Sequence, residues 1–310
     1  GVHPFEGKEL SMDRAVTVLK PTSGEMVYPL SQHIGAPAKA IVKVGDEVLV
    51  GQKIAEAGGF ISAVVVSSVS GKVKKIEPRV TAGGAKSISI VIENDGQYTA
   101  VEGLGEDRDV TKLSKQEIRD IVREAGIVGL GGAGFPTNVK LTPKDESKID
   151  YIIVNGAECE PYLTCDYRMM IEEPERLIGG LKVMLQLFEN AKAVIGVENN
   201  KPKAIEKLRA LVKDEPKISV EALRTKYPQG GERSLIYAVT GREINSSMLP
   251  ADAGCVVDNV NTVMAIYDAV CKRTPILERV ITITGDAIKE PQNFKVRTGM
   301  NYNDIIEAAG

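Results

Sequence analysis

Apolar and polar positions follow two different rhythms along the 310 residues. Between residues 31 and 100 the apolar runs are short and close together, at 39–44, 48–50, 63–67 and 88–93. Gly45-Asp46, Gly58-Gly59 and Gly83-Gly84 separate them. Short runs bounded by turn residues predict strands, so this stretch reads as all-β. Residues 1–30, with Pro4, Pro21 and Pro29 spaced through them, read as an irregular arm.

From about residue 105 the pattern predicts helices alternating with strands. Ser114 and Glu117 have the spacing of a capping box; Ile118, Ile121, Val122 and Ala125 then share one helical face, and Gly126 stops the helix. Strands at 149–154, 192–197 and 218–223 alternate with helices at 177–188, 202–212 and 232–239. Pro174 suits the first turn leading into the helix at 177–188, and Gly241 stops the helix at 232–239. A last helix covers 261–272. Such alternation implies parallel βαβ units and a doubly wound α/β layer. Residues 278–310 return to strands plus one short helix, a small α+β unit. The domains expected are therefore an arm at 1–30, a β unit at 31–104, an α/β unit at 105–276 and a terminal unit at 277–310.

Composition narrows the partners. A chain that is 43% hydrophobic and 26% charged is long enough for two or three domains with a sizeable core. A net charge of −3 speaks against nucleic-acid binding. No apolar run approaches the roughly 20 residues that span a bilayer. The start, GVHPFEGKEL, lacks the apolar core of a signal peptide, so a cytoplasmic protein is expected, reaching a membrane only through partner subunits. The four cysteines (Cys159, Cys165, Cys255, Cys271) form no CxxC pair, so no metal site is expected and ordinary thiols are. His3 and His33 fall outside the α/β region, where surface or packing roles suit them.

The densest local feature is GLGGAGFPT at 129–137, with Gly129, Gly131, Gly132 and Gly134 within six residues. Backbone without side chains can line its N–H groups against an anion or a flat ring. The loop lacks the GK[ST] ending of a phosphate-binding Walker loop, and it follows a helix rather than a strand. The strand at 149–154 runs into NGAECEP, placing Glu158 and Glu160 at the carboxyl edge of the sheet, where α/β folds bind ligands. YPQGGER exposes the start of the helix at Glu232, and DNVNT puts small polar residues at the start of the last helix.

Taken in order, GLGGAGFPT with Lys140, NGAECEPYLTCDYR, YPQGGERSLI with TGRE, and VVDNVNT resemble the RnfC family across the whole chain. That family comprises the NADH-oxidising subunits of Rnf ferredoxin:NAD oxidoreductase complexes. The same elements are similar to those of the complex I flavoprotein subunit. Leu130, Ala157 and Gly231 stand where complex I has an arginine, an acidic residue and a glutamate. The resemblance implies a Rossmann-like, complex I flavoprotein-type α/β core that holds FMN. It assigns Gly129, Gly131, Gly132, Gly134, Lys140, Asn155, Glu158, Gly230, Asn259 and Thr262 to the flavin. Gly230, Asn259 and Thr262 lie toward its phosphate. Phe135, Glu158, Glu160 and Glu232 match positions that face NADH.

Hydride would pass directly from nicotinamide to flavin, so no protein acid or base is assigned. VKVGDEVLVGQKIAEAGG with SSVSGKVKKI resembles a lipoyl-like barrel-sandwich hybrid, although no lysine occurs between Lys53 and Lys72 to carry a swinging arm. Residues 277–310 resemble a β-grasp, soluble-ligand-binding (SLBB-like) unit. Members of the family normally continue into motifs for two [4Fe–4S] clusters, so a truncated or incomplete chain is expected. The implied partners are the membrane-embedded and ferredoxin-like Rnf subunits, with ferredoxin reached indirectly, at the cytoplasmic side of the membrane. Two other readings stay open: a flavin-free scaffold similar to NqrA, and an electron-transfer partner of an amino-acid reductase such as that for D-proline.

Overall fold

The computed structural model describes residues 1–310. The first 94 residues hold β1 (Thr17–Leu19), β2 (Glu25–Pro29), β3 (Lys39–Ala40), β4 (Glu47–Val48), β5 (Lys53–Glu56), β6 (Val65–Val66), β7 (Gly71–Val80) and β8 (Lys86–Asn94). All but β1 form two antiparallel sheets, ordered β2-β8-β7-β4 and β3-β5-β6. Alternate side chains of β2 and β8 (Met26, Tyr28, Ile90 and Ile92) meet Ile54 and Val73 in a sealed core. That inward–outward alternation is what a half-buried strand demands. His33 is buried beside Ser62 and accepts a hydrogen bond from the Ala63 amide, a packing role.

The arm at 1–30 is more ordered than its prolines suggest. It supplies β2 to the barrel and β1 to a sheet at the other end of the chain. Both strands find their partners sixty or more residues away, β2 at β8 and β1 at a strand near residue 295, so local patterning carries no trace of them.

The α/β layer follows. Its elements are α1 (Lys115–Glu124), α2 (Thr137–Lys140), β9 (Tyr151–Gly156), α3 (Cys165–Glu172), α4 (Pro174–Leu187), β10 (Lys192–Glu198), α5 (Pro202–Val212), β11 (Ile218–Leu223), α6 (Glu232–Thr240), β12 (Cys255–Asn259) and α7 (Val260–Lys272). The expected capping box opens α1: the Glu117 amide donates to Ser114 Oγ at 3.2 Å, and the Ser114 amide donates to Glu117 Oε2 at 2.7 Å. Pro174 and Pro202 each sit in a helical first turn, where the missing N–H costs nothing.

The four strands are parallel in the order β11-β10-β9-β12. Helices α3, α4, α5 and α7 bury one face of the sheet, and Leu235 and Ile236 of α6 cover the other. Helices α4 and α7 touch so closely at Gly180 that a Cβ there would run into the Val263 carbonyl. The chain finally folds into β13 (Glu278–Ile283), β14 (Gln292–Arg297) and α8 (Tyr302–Ala309). Strand β14 pairs antiparallel with β13 and parallel with β1, Thr17 lying opposite Phe294.

Candidate functional site

The strand order reverses at β9. From it the chain winds outward through β10 to β11, then returns across the sheet to β12 on the other side. The carboxyl ends of β9 and β12 therefore diverge into loops of opposite sense, the place where open α/β sheets bind ligands. Asn155 and Asn259 mark that point, facing each other in register. A cleft of about 760 Å³ opens there, and its far wall is built by β13, β14 and the edge of the barrel. That volume lies within the range of small-molecule sites. Gly131, Asn155, Glu158, Glu160, Gly230 and Asn259 all line it.

Backbone proximity explains the glycines. A Cβ on Gly230 would strike the Ala157 carbonyl, because the two loops beyond β9 and β11 touch there. Asn155 ties them together: its Nδ2 donates to the Gly230 carbonyl at 2.7 Å, and its Oδ1 accepts from the Ala157 amide at 3.2 Å. Gly131 lies against Asn259, whose Oδ1 caps α7 by accepting from the Asn261 amide at 2.8 Å.

Glu158 is turned inward. Its carboxylate accepts from the backbone N–H groups of Asp166 at 2.8 Å and Tyr167 at 3.3 Å, so it caps the start of α3. Asp166 lies next to it and accepts from the side-chain amides of Asn259 and Asn261 at 2.7 and 2.6 Å. Burial pushes the Asp166 carboxyl up to about 7; the Glu158 charge adds to this and the two asparagine amides oppose it. A carboxyl with a raised folded pKa binds its proton more tightly in the native state. Its stabilising effect is complete below the unfolded value, near pH 4, and is lost as pH rises through about 7. Denaturant unfolding between pH 4 and 8 should show stability falling across that window, and Asp166→Asn should flatten this component of the slope.

The remaining sites named from sequence fall in other places. Thr262 is fully buried and accepts from the Leu130 amide at 2.9 Å, holding the glycine loop from behind. Gly134 faces Gln32 and His33 of the barrel. The Phe135 carbonyl accepts from the Gly129 amide at 2.9 Å, which closes the base of the loop, while Gly132 projects into open space. Lys140 and Glu232 meet each other on the α6 flank: Lys140 Nζ lies 3.3 Å from Glu232 Oε1 and donates to the Val257 carbonyl at 2.7 Å. Asp258 is buried beside them with both oxygens free of hydrogen bonds, and burial pushes its carboxyl up to about 6.

Three further cleft residues, Asp166, Asn261 and Arg279, are not among the site residues named from sequence. Asp166 sits inside a motif whose glycine and glutamates draw attention first, and Asn261, part of the DNVNT helix start, is not assigned to the site. Arg279 comes from β13, far along the chain, and reaches the glycine loop only in the folded protein, where its Nη2 donates to the Leu130 carbonyl at 3.1 Å.

Comparison with known proteins joins these elements to one lineage. Residues 1–97 match the RnfC barrel sandwich hybrid domain, and residues 122–268 match the Nuo51 FMN-binding domain. Over its whole length the chain is 46% identical to the RnfC-type component of the proton-translocating ferredoxin:NAD(+) oxidoreductase complex of Clostridium ljungdahlii, covering 67% of that protein. It is 44% identical to the Na(+)-translocating counterpart of Acetobacterium woodii, covering 70% of it. The chain belongs to the RnfC family. A further RnfC relative, from the ion-translocating oxidoreductase complex of Pseudomonas aeruginosa, is 39% identical over 94% of this chain and is covered for 38% of its length. The crystal structure of an air-oxidised NAD+-reducing [NiFe]-hydrogenase superposes with a TM-score of 0.57 at 24% identity, covering 66% of this chain and 40% of the other, which shows a shared fold. No helix in this RnfC chain is long and apolar enough to cross a membrane.

Proposed function

We propose that this chain is the NADH-oxidising, flavin-binding part of an Rnf-type electron-transfer subunit. One observation carries the reading: the glycine loop, Asn155 and Asn259 converge on a single cleft at the sheet's reversal point in a member of the RnfC family. The residues present fit FMN. Gly131 and Asn259 approach with almost no side-chain bulk between them, and the cleft combines amide donors, a guanidinium and apolar walls. FMN, when bound, supplies the ability to accept a hydride and to release electrons one at a time.

The protein's share is placement and electrostatics. Asn155 fixes the spacing of the two loops, Thr262 fixes the glycine loop against α7, and Glu158 holds α3. Glu160 is exposed at the rim, where a carboxylate disfavours the extra phosphate of NADPH and so favours NADH. Holding both reactants in one cleft lowers the barrier through proximity, and no side chain need move a proton. Electrons would leave to [4Fe–4S] clusters outside residues 1–310 and on to ferredoxin-like and membrane-embedded partners at the cytoplasmic face. The residues assigned to flavin (Gly129, Gly131, Gly132, Gly134, Lys140, Asn155, Glu158, Gly230, Asn259, Thr262) and to NADH (Phe135, Glu158, Glu160, Glu232) are part of this proposal.

Anaerobic titration of the FMN-mixed protein with NADH tests it. The expected result is a bound-flavin visible spectrum that bleaches stoichiometrically. Absence of binding at micromolar protein would favour a scaffold without flavin. Binding without NADH-driven bleaching would remove the NADH assignment alone.

A further inference from the structure

We infer that Arg279, supplied by the C-terminal unit, is the residue that binds the phosphoryl group of the nucleotide held in the cleft. The inference rests on the nucleotide-binding reading above and adds a third structural unit to that site. Five cations line the cleft: Lys20, Arg176, Arg279, Lys295 and Arg297. Three are already matched. Arg176 pairs with Glu173 and Asp268, Lys295 with Glu173 at 2.8 Å, and Arg297 with Glu278 at 3.4 Å. Lys20 is exposed and lies 3.7 Å over the Tyr98 ring. Arg279 is half-buried and, alone among the half-buried cations of the cleft, pairs with no carboxylate; its one hydrogen bond goes to the Leu130 carbonyl at 3.1 Å.

Its other donors stay open to the cleft, and burial of the half-enclosed guanidinium without a counter-ion pushes its pKa down. The carboxyl whose charge acts on it, Asp166, is taken up by Asn259 and Asn261, and burial pushes its pKa up to about 7, so it supplies only part of a charge at neutral pH. The arrangement lacks one anion. Its position specifies which kind. Leu130 bridges Arg279 to Thr262 in the first turn of α7, so the guanidinium stands where the glycine loop meets a helix N-terminus. A phosphoryl group there would gain a two-pronged guanidinium contact together with the helix dipole. Two sources share this chemistry, the phosphate of FMN and the diphosphate of NADH.

Calorimetric affinities for FMN, for riboflavin, and for NADH added to the flavin-loaded protein separate the possibilities in the parent, Arg279→Gln and Arg279→Lys. The expected result is a loss of about 10- to 100-fold in FMN affinity for Arg279→Gln, riboflavin staying within about 2-fold, and an intermediate loss for Arg279→Lys. A loss confined to NADH would keep the phosphoryl site and assign its ligand to the dinucleotide. Glutamine still offers a donor to the Leu130 carbonyl, so an arginine that only pins the loop would leave all three affinities in place. An equal fall for FMN and riboflavin, or no change in any ligand, overturns the inference. A parent that binds no flavin and no NADH removes the nucleotide reading itself.

Discussion

Replacing Lys201 by methionine should cost about 3–5 kcal/mol of stability, the penalty for stranding a buried charge. Lys201 and Glu198 are both sealed from solvent at the end of β10, Nζ lying 3.2 Å from Glu198 Oε2 and donating to Asn200 Oδ1 at 2.9 Å. Methionine preserves the volume of the aliphatic stem and removes only the ammonium. Glu198 then has one remaining direct contact, the Lys226 amide at 3.2 Å. Lys8 cannot take over, since its own Nζ is held by the carbonyls of Glu160 at 3.0 Å and Leu163 at 2.6 Å. Urea unfolding of Lys201→Met and of the double variant Glu198→Gln with Lys201→Met gives the comparison. The double variant should recover a large part of the loss, because no unpaired charge remains. Equal stability of single and double variants would mean that the pair is not what holds this corner. Because the Lys226 amide leads into the Tyr227–Gly231 loop, the single variant should also loosen the wall of the cleft.

The α/β layer was legible where its signals are local. The Ser114–Glu117 box, the prolines at 174 and 202 and the stop at Gly241 each act within one or two turns, so reading them needs no knowledge of the fold. The barrel was less legible. Strand β7 reads GKVKKIEPRV, with a proline and five charged residues, because most of its length is exposed and only Val73 enters the core. Strand β12 is five residues long and runs directly into α7, so the segment announces a helix start and conceals the strand before it.

The cleft divides along the same line. Gly131, Gly230, Asn155 and Asn259 stand out in sequence because close backbone approach selects glycine and helix starts select asparagine. The inward commitment of Glu158 could not be read, because it depends on α3 turning its first N–H groups toward that carboxylate. Nor could the role of Arg279, which depends on how the C-terminal unit packs against a loop about 150 residues earlier.

Gly131→Val should reduce FMN affinity by about 100-fold while leaving the fold intact. A Cβ at this position would sit 2.7 Å from Asn259 Nδ2 and 2.9 Å from its Cγ, so the amide must move. Moving it breaks two bonds, the α7 cap at 2.8 Å and the contact with Asp166 at 2.7 Å. The displaced amide and the valine side chain intrude on the cleft where the flavin would lie, and overpacking of this kind costs about 1–3 kcal/mol, whose upper end, borne by the bound state, is about two orders of magnitude in affinity. The free protein bears the displacement of Asn259 as well, so global stability should fall by about 1–3 kcal/mol, short of unfolding a chain in which Gly131 is exposed and belongs to no core. Gly132→Ala separates ligand from protein: its Cβ meets no protein atom within 4 Å, so stability should be unchanged and any fall in FMN affinity reports the flavin itself. Fluorescence quenching titrations with parallel thermal melts read both quantities. If Gly131→Val binds FMN as the parent does, the glycine loop is not a wall of the flavin site, and the shared cleft would need a different ligand.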